Sequence, residues 1–389
     1  MEDVYIIGAG QLPVGKYPES SPAALGSEAV KKALNDSGLD PSDIGALYVG
    51  NMMSGMISNQ QLISTLIANE AGLTGCEVMT IEGACASGAA SVRLAILAVA
   101  SKQYNAVVAC GAEQMTHRTH AEVTEVLKTG SHWPTEGSRG KTFISLNAEL
   151  MQHYMDTYQK GHDEFASFAM SSHANGLRNP NAMLRKPLDL DTYKAGRELV
   201  APITLFDAPP ICDGAAAVVV ANKDVAMAAK AMGRPIVQVR ASSAATDNLA
   251  LTLRESILEL KASKVSAQRA YAQAQVQPKD IDMIELHDAY TIMNALSLEA
   301  MGFADPGTGT DMAKNGDIYL DGKLPICTFG GLKSRGHPVG ATGCYQVVEC
   351  FLQLTDNAGE NQVQNANVAL SQSFGGAASA VYTHIFARA

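Results

Sequence analysis

GACASGAASVRLAILAVASKQYNAVVACGA, residues 83–112, combines a turn, a helix and a strand in immediate succession. GACASG contains only small residues, AASVRLAILAVASKQ is apolar nearly all round, and NAVVACGA is typical of a buried strand. A helix that is apolar on every side belongs between two packed layers. The stretch therefore predicts a helix buried inside a layered α/β protein.

The same plan occurs a second time near the C-terminus. Within residues 340–376, GATG supplies the turn, CYQVVECFLQL the helix and NVALSQSFGG the strand. Elsewhere, strand-like runs such as VYIIGAG alternate with alanine-rich helical runs such as AALGSEAVKKALNDSG. This alternation is typical of α/β folds. The sequence therefore predicts a duplicated α/β unit.

Between about residues 116 and 204 the pattern changes, because polar and basic residues interleave and TEGSRGK and RNPNAMLRKPLDLD have the composition of loops. We expect an inserted loop domain there. The core pattern returns at PICDGAAAVVVANKDVA, and a new strand, PIVQVRAS, follows Gly233. We predict an N-terminal half over 1–232, which includes the insertion, and a C-terminal half over 233–389.

The composition excludes several classes of function. A net charge of −10 over 389 residues disfavours nucleic acid or an anionic membrane as a partner. The start MEDVYIIGAG lacks the basic residues and long apolar core of a signal peptide, and no window reaches membrane-spanning length. Seven cysteines without paired spacing indicate reduced thiols and no structural zinc. We expect a cytoplasmic protein without a metal.

Cys85 is the first candidate for a chemical role. It begins the buried helix, where the helix dipole and free N–H groups favour a thiolate, and its small neighbours leave room for a substrate. A lone cysteine is nevertheless more often a small buried residue. The remaining cysteines have only that interpretation: Cys76, Cys110, Cys212, Cys327, Cys344 and Cys350.

Two histidines complete the candidate set. His337 lies in the glycine-rich loop GGLKSRGHPVGATG, and His287 follows the strand-like run IDMIEL. Asp288 is expected to cap the next helix. With Cys85 as nucleophile and His337 as base, the set suits acyl transfer from a thioester, and SFGGAAS offers N–H groups for an oxyanion hole. GAGQLPVG has Pro13 where a dinucleotide fingerprint needs glycine, so that cofactor is not expected.

These segments, in their order, resemble the thiolase superfamily. The likeness is carried by EGACASGAA, GAEQMTH, DGAAAVVVAN, ELHDAY, GGLKSRGHPVGATG and SFGGAASAV. HDAY in place of NEAF resembles the archaeal and sterol-carrier-type acetyl-CoA acetyltransferases. The resemblance implies a five-layered α-β-α-β-α core with an inserted loop domain that binds coenzyme A. It also implies that coenzyme A thioesters are substrates and that no cofactor is needed.

The resemblance further implies roles for individual residues. Cys85 matches the acylated nucleophile, His337 the histidine that activates it, and His287 the position of the NEAF asparagine. The backbone N–H groups of Cys85 and Gly375 match an oxyanion hole. Ser373 stands where other thiolases have an acid/base cysteine. Because a serine hydroxyl has too high a pKa to act as that base, one of the histidines or a water must remove the α-proton.

The implied function is a thiolase that makes or breaks a carbon–carbon bond between acyl-coenzyme A units through an acyl-Cys85 intermediate. The alternatives are a thiolase-like retro-aldol lyase, an acyl-coenzyme A thioesterase and a non-catalytic thiolase-fold subunit. Retention of Cys85, His287 and His337 favours the enzyme with a cysteine nucleophile.

The resemblance implies a homodimer or homotetramer, with a second condensing enzyme and a small OB-fold protein as further partners. Four basic residues of the insertion are candidates to contact coenzyme A, although a solvated surface position is the stronger expectation for each. They are Arg139, Lys141, Arg185 and Lys186.

Overall fold

The computed structural model describes residues 4–389, in which strands and helices alternate along most of the chain. The strands are β1 (Val4–Gln11), β2 (Ala46–Gly50), β3 (Glu77–Ile81), β4 (Ala106–Glu113), β5 (Glu198–Val200), β6 (Ile203–Thr204), β7 (Gly214–Asn222), β8 (Val237–Thr246), β9 (Met283–Glu285), β10 (Val368–Gly375) and β11 (Ala380–Arg388). The helices are α1 (Pro22–Ser37), α2 (Ser54–Ile57), α3 (Ile63–Ala71), α4 (Ser87–Ala100), α5 (His120–Leu127), α6 (Phe143–Tyr158), α7 (Ala166–Arg178), α8 (Leu190–Lys194), α9 (Lys223–Ala231), α10 (Lys261–Ala274), α11 (Thr291–Ala300), α12 (Gly309–Lys314) and α13 (Thr342–Leu354).

One nine-stranded sheet has the order β3-β2-β4-β7-β1-β8-β11-β10-β9. In the first half, β2 runs parallel to β3 and β4, and β7 runs antiparallel to β4 and β1. The second half repeats this pattern with β9, β10, β11 and β8, and a parallel bridge from Ile284 to Ile326 takes the place of β3. The halves join where Tyr5 and Ile6 of β1 pair with β8.

The helices form three layers around the two halves of the sheet. α4 packs on β2, β4 and β7, α13 packs on β10 and β7, and these two helices pack on each other. α1 and α3 cover the outer face of the first half, and α10 covers the outer face of the second. The predicted five-layered α-β-α-β-α arrangement is confirmed.

The starts of α4 and α13 touch through their backbones. A Cβ atom at Gly343 would lie 2.2 Å from the Ala89 nitrogen, and one at Gly88 would lie 2.9 Å from the Gly340 carbonyl oxygen. Larger residues at these two positions would push the halves apart. Further along, α4 is less enclosed than its sequence predicts, because Leu94 and Leu97 are 37% and 40% exposed.

The insertion is mainly helical rather than a set of loops, since it contains α5 to α8 and the small β5–β6 sheet. Its connection to the core depends on buried Asp207. This carboxylate accepts hydrogen bonds from Tyr193 at 2.5 Å and from Thr291, the first residue of α11, at 2.6 Å, and it pairs with His162 at 2.8 Å.

The predicted boundary between residues 232 and 233 stays a prediction. Within residues 4–389 we find no helix with the length and apolar character of a bilayer span.

Candidate active site

Cys85 lies in a single 3₁₀ turn, Ala84–Ala86, immediately before α4. Ala84 has a φ of +52°, which is unfavourable for a residue other than glycine. Ser87 holds this turn, because its hydroxyl donates to the Ala84 carbonyl at 2.6 Å and accepts from the Gly83 N–H at 2.9 Å. The local sequence therefore fixes the sulfur-bearing residue in a tight, buried turn.

The sulfur of Cys85 is a thiol in the resting protein. Burial raises its pKa to about 12, and the nearby Glu113 carboxylate adds to the shift, whereas the Cys85 N–H opposes it. The expectation that the helix start stabilises a thiolate is therefore wrong, because desolvation outweighs the N–H groups. A base must take the proton before the sulfur can attack a substrate.

His337 follows a single π-helical turn, Gly331–Arg335, and its backbone N–H donates to the Cys212 sulfur at 3.0 Å. Its Nδ1 lies 2.7 Å from the Thr342 hydroxyl, and that hydroxyl lies 3.3 Å from the Pro338 carbonyl. Since the hydroxyl donates to the carbonyl, it accepts from Nδ1–H, which leaves Nε2 unprotonated. Burial lowers the pKa of His337 well below its usual range, so the ring is neutral and can accept a proton at Nε2.

His287 lies in the segment between β9 and α11, where the sequence predicts it. Its ring is 5.1 Å from the ring of His337 at an angle of 85°, and 5.4 Å from the ring of Phe374. Burial lowers the pKa of His287 to about 3, with a smaller effect from Arg335. In the part of the chain that the structure describes, its Nδ1 has no hydrogen-bond partner. The two imidazoles are thus a contacting, neutral pair.

Asp288 does not cap α11, so that prediction is wrong. The cap position is Tyr290, without a side-chain hydrogen bond, and Asp288 instead accepts from the Leu332 N–H at 2.7 Å. This bond ties the segment that carries His287 to the π-helical turn that precedes His337. Asp288 therefore positions the two histidines relative to each other.

Cys85, His287 and His337 line one cavity of about 910 Å³. The structure thus brings together the three residues that the sequence proposes as the reactive set. Much of the remaining wall is apolar, and the aromatic and aliphatic side chains that contribute to it include Leu127, Phe143, Ile144, Leu205, Met293 and Phe374. An apolar wall strengthens electrostatic interactions with a bound ligand.

Ser373 does not face this cavity. Its hydroxyl donates a short hydrogen bond to the side-chain oxygen of Gln346, and its neighbour Phe374 lines the cavity instead, as expected from the alternation of side chains along β10. Gly375, at the end of β10, lies against the residue that precedes the 3₁₀ turn of Cys85. A Cβ atom there would be 2.3 Å from the Gly83 carbonyl oxygen.

Gln346 is a site residue that sequence reasoning missed. Its side-chain nitrogen donates to the carbonyls of Leu286 at 2.9 Å and Gln372 at 3.2 Å, so it connects the residue before His287 with β10. A polar residue inside the apolar run CYQVVECFLQL was the available signal, because buried amides are retained where they have partners.

A buried ion pair lies behind the histidines. Arg335 donates to Glu349 at 2.6 Å, both side chains are fully buried, and the guanidinium lies 5.0 Å from the ring of Tyr345. The positive charge of Arg335 contributes to the lowered pKa of both His287 and His337. The Arg335 charge therefore favours the neutral form of both imidazoles.

Of the four basic candidates in the insertion, Lys186 lines the cavity. Arg139, Lys141 and Arg185 are not among the lining residues. Lys141 is paired with Glu149 at 2.7 Å, and Arg185 donates to the Leu177 carbonyl at 3.4 Å. The cavity wall contains two other cations, Arg197 and Lys333.

The layered, duplicated fold and its cavity define an α/β enzyme of the acyltransferase class. Residues 4–198 match the family described as "Thiolase, N-terminal domain", and residues 243–388 match "Thiolase C-terminal domain-like". The chain belongs to the thiolase family.

Curated relatives agree with this assignment over the whole chain. An "Acetyl-CoA acetyltransferase" of Methanothermobacter thermautotrophicus is 36% identical over 388 residues, which is 100% of each chain. A protein of the same name from Methanocaldococcus jannaschii is 35% identical and covers 96% of this chain and 95% of its own. "Sterol carrier protein 2" of Homo sapiens is 28% identical and aligns with 98% of this chain and 71% of its own.

Two solved structures share the fold. The "Ltp2-ChsH2(DUF35) aldolase" superposes with a TM-score of 0.85 at 22% identity, covering 99% of this chain and 98% of the other. The Acat5 thiolase from Ascaris suum in complex with coenzyme A has a TM-score of 0.75 at 18% identity and covers 100% of both chains. At these identities the likeness establishes the fold alone.

Proposed function

We propose that the protein is a thiolase that carries an acyl group on Cys85 and makes or breaks a carbon–carbon bond between two acyl-coenzyme A units. The observation that supports this most directly is the common cavity of Cys85, His287 and His337, in which a buried thiol accompanies two neutral histidines. The full-length relatives named acetyl-CoA acetyltransferase support acetyl-coenzyme A as a substrate.

In the first step, Nε2 of His337 takes the proton of Cys85, and the sulfur attacks the thioester carbon. The backbone N–H groups of Cys85 and Gly375 stabilise the oxyanion. Coenzyme A then leaves as a thiol with the proton from His337. The acyl group remains on Cys85, and His337 is neutral again.

In the second step, His337 removes a proton from the α-carbon of a second acyl-coenzyme A. Neutral His287 donates a ring N–H to the oxygen of the resulting enolate, which is a role that a neutral imidazole can fill. The enolate carbon attacks the acyl carbon, Cys85 leaves as a thiolate, and His337 returns the proton to it. Ser373 takes no part, because its hydroxyl is bonded to Gln346.

Incubation with acetyl-coenzyme A tests this proposal. We expect intact-protein mass spectrometry to show one added acetyl group that is absent from Cys85→Ala and present in Cys76→Ala, whose half-buried thiol is outside the cavity. Acetoacetyl-coenzyme A and free coenzyme A are the expected products. Free acetate would instead identify a thioesterase, and the absence of both acylation and products would indicate a non-catalytic subunit.

We further propose that two copies of the chain associate through β3. This strand is at one edge of the sheet, and Met79 on it is 47% exposed. An exposed edge strand with an apolar residue is suited to pairing with an identical strand.

A second condensing enzyme and a small OB-fold protein are proposed further partners. The seven cysteines are all unpaired, which supports a reducing compartment such as the cytoplasm.

A further inference from the structure

Lys333 is a buried cation on the cavity wall. It is 5% exposed, and its ammonium group donates to the carbonyls of Leu205 at 2.9 Å and Ala208 at 2.6 Å. Among residues 4–389 no carboxylate forms an ion pair with it, and Asp207 and Asp288 act on it only from a distance. Two carbonyl dipoles do not neutralise a full charge, and buried charges are normally matched by an opposite one.

His173 provides a second polar group at the same place. It is 6% exposed and lines the cavity, and its Nδ1 lies 2.8 Å from the Lys186 carbonyl. Its Nε2 has no hydrogen-bond partner among the described residues. The ring of Phe206 lies 6.3 Å from the His173 ring and 5.8 Å from the Lys333 nitrogen, so both groups surround one aromatic side chain.

The charges around the cavity have one sign. Its lining contains the cations Lys186, Arg197 and Lys333 and no aspartate or glutamate, although the protein as a whole has a net charge of −10. Lys186 and Arg197 are exposed, whereas Lys333 is buried. The exposed pair suits the strongly hydrated phosphates of coenzyme A. The buried ammonium group of Lys333 instead suits a ligand group that carries a single negative charge.

We propose that Lys333 and His173 bind a carboxylate at the far end of the acyl chain, so that the enzyme accepts acyl-coenzyme A thioesters of dicarboxylic acids. This inference rests on the proposed function of the cavity. The carboxylate accepts a hydrogen bond from the ammonium group, and it favours the cationic form of His173, in which Nε2 also carries a hydrogen to donate. The apolar wall contacts the methylene groups between the two ends.

The test measures binding separately from catalysis. In the Cys85→Ala protein, we expect glutaryl-coenzyme A to bind at least about tenfold more tightly than pentanoyl-coenzyme A, which has the same number of carbons. Lys333→Met should remove this preference, and His173→Gln should reduce it. Lys230→Met, on exposed α9, is the matched control that should keep it. If Lys333→Met does not fold, the preference for glutaryl-coenzyme A is measured on Lys333→Arg instead. This variant preserves the charge and should therefore keep the preference.

Three outcomes would overturn the inference. The first is equal affinity for the two thioesters in the Cys85→Ala protein. The second is a loss in Lys333→Met that is the same for both, which would assign Lys333 to a group of coenzyme A itself. The third is a Lys333 effect that disappears with 3′-dephospho-coenzyme A, which would assign the lysine to that phosphate. Acetylation of Cys85 by acetyl-coenzyme A, measured in the protein that retains this cysteine, tests the proposed function independently.

Discussion

The proton of Cys85 sets the first requirement of the chemistry. A thiol with a pKa near 12 is almost entirely protonated at neutral pH, so acylation requires a base that contacts it. His337 is suited to that role because its bond to Thr342 leaves Nε2 free to accept. His287 contacts the ring of His337 rather than repeating its role.

Replacing each of the two histidines should therefore impair a different step of the reaction. His337→Gln should suppress acetylation of Cys85 by at least about 100-fold, because no other group takes the thiol proton. His287→Gln should keep acetylation and lose formation of acetoacetyl-coenzyme A. Rapid-quench mass spectrometry measures the first step, and product formation measures the second. An equal loss of acetylation in both variants would contradict this division of roles.

Ser373 should be replaceable. We expect Ser373→Ala to lower kcat/KM for acetoacetyl-coenzyme A by less than about tenfold, because the hydroxyl is bonded to Gln346 and outside the cavity. Ser373→Cys should not raise kcat/KM, since the new thiol would also face Gln346. A Ser373→Ala enzyme that acetylates Cys85 but forms no carbon–carbon bond would show that the serine is a catalytic participant.

The sequence located Cys85, His287 and His337 because each lies in a short segment whose residue types match a known pattern. It could not show that Ser373 faces away, since the side that a strand residue faces depends on the register of the sheet. Lys333 also escaped notice. Its ammonium group contacts Leu205 and Ala208, which follow the insertion and lie more than a hundred residues earlier in the chain.

At the scale of elements, β10 and the segment that leads into the 3₁₀ turn of Cys85 are in direct contact at Gly375. Gly375→Ala should reduce acetylation of Cys85 by at least about 100-fold while the protein stays folded, because the added methyl group displaces the turn from the strand. Gly83→Ala is the matched control, since a Cβ atom there has no neighbour closer than 3.7 Å. Circular dichroism confirms folding, and mass spectrometry measures acetylation. Equal activity in both variants would show that this contact is not required.

Strands and buried helices were predicted well where apolar residues are dense, as in α4 and α13. The insertion was predicted as loops although it contains α6 and α7. Both helices are rich in polar residues, including Ser171, Ser172 and Asn175 of α7, so their sequence has the composition of a surface loop although these three side chains are buried. Their burial depends on partners distant in the sequence, such as Glu299 of α11, which accepts from Tyr154 of α6 at 2.7 Å, and no local pattern reveals such a contact.

At the scale of the whole molecule, buried histidines make stability depend on pH. Burial lowers the pKa of His384 to about 3, and its ring bonds Ser242 and the Ala89 carbonyl, away from the cavity. Because the unfolded chain takes the proton near pH 6.5, this residue contributes stability above about pH 6.5 that is lost as pH falls towards 3.

The His384→Gln variant should therefore become more stable relative to the wild type as pH falls. We expect its free energy of unfolding, measured by urea denaturation, to improve relative to wild type by about 1 kcal/mol or more between about pH 7.5 and about pH 5. Groups with the opposite shift, such as Glu113 with a pKa near 7, are present in both proteins and cancel in the comparison. A difference that does not change with pH would contradict the assignment.

The edge strand β3 gives a prediction for assembly. If two copies pair through it, light scattering should give twice the chain mass of 40.9 kDa for the wild type, and Met79→Lys should shift the protein towards the monomer. Met227→Lys, on α9, is the control, because that exposed side chain is on a helix outside the sheet. A Met79→Lys protein that remains a dimer would place the interface elsewhere.

The contact between the starts of α4 and α13 has a consequence for the two halves of the chain. Each helix follows a 3₁₀ turn at the equivalent position of its half, Ala84–Ala86 in one and Val339–Ala341 in the other. One turn contains Cys85, the proposed nucleophile, and the other follows His337, the proposed base, after one intervening residue. The two halves thus use the same local arrangement of turn and helix for two different residues of the cavity. A fragment of either half alone would contain only one of Cys85 and His337, so the proposed reaction requires both halves of the chain.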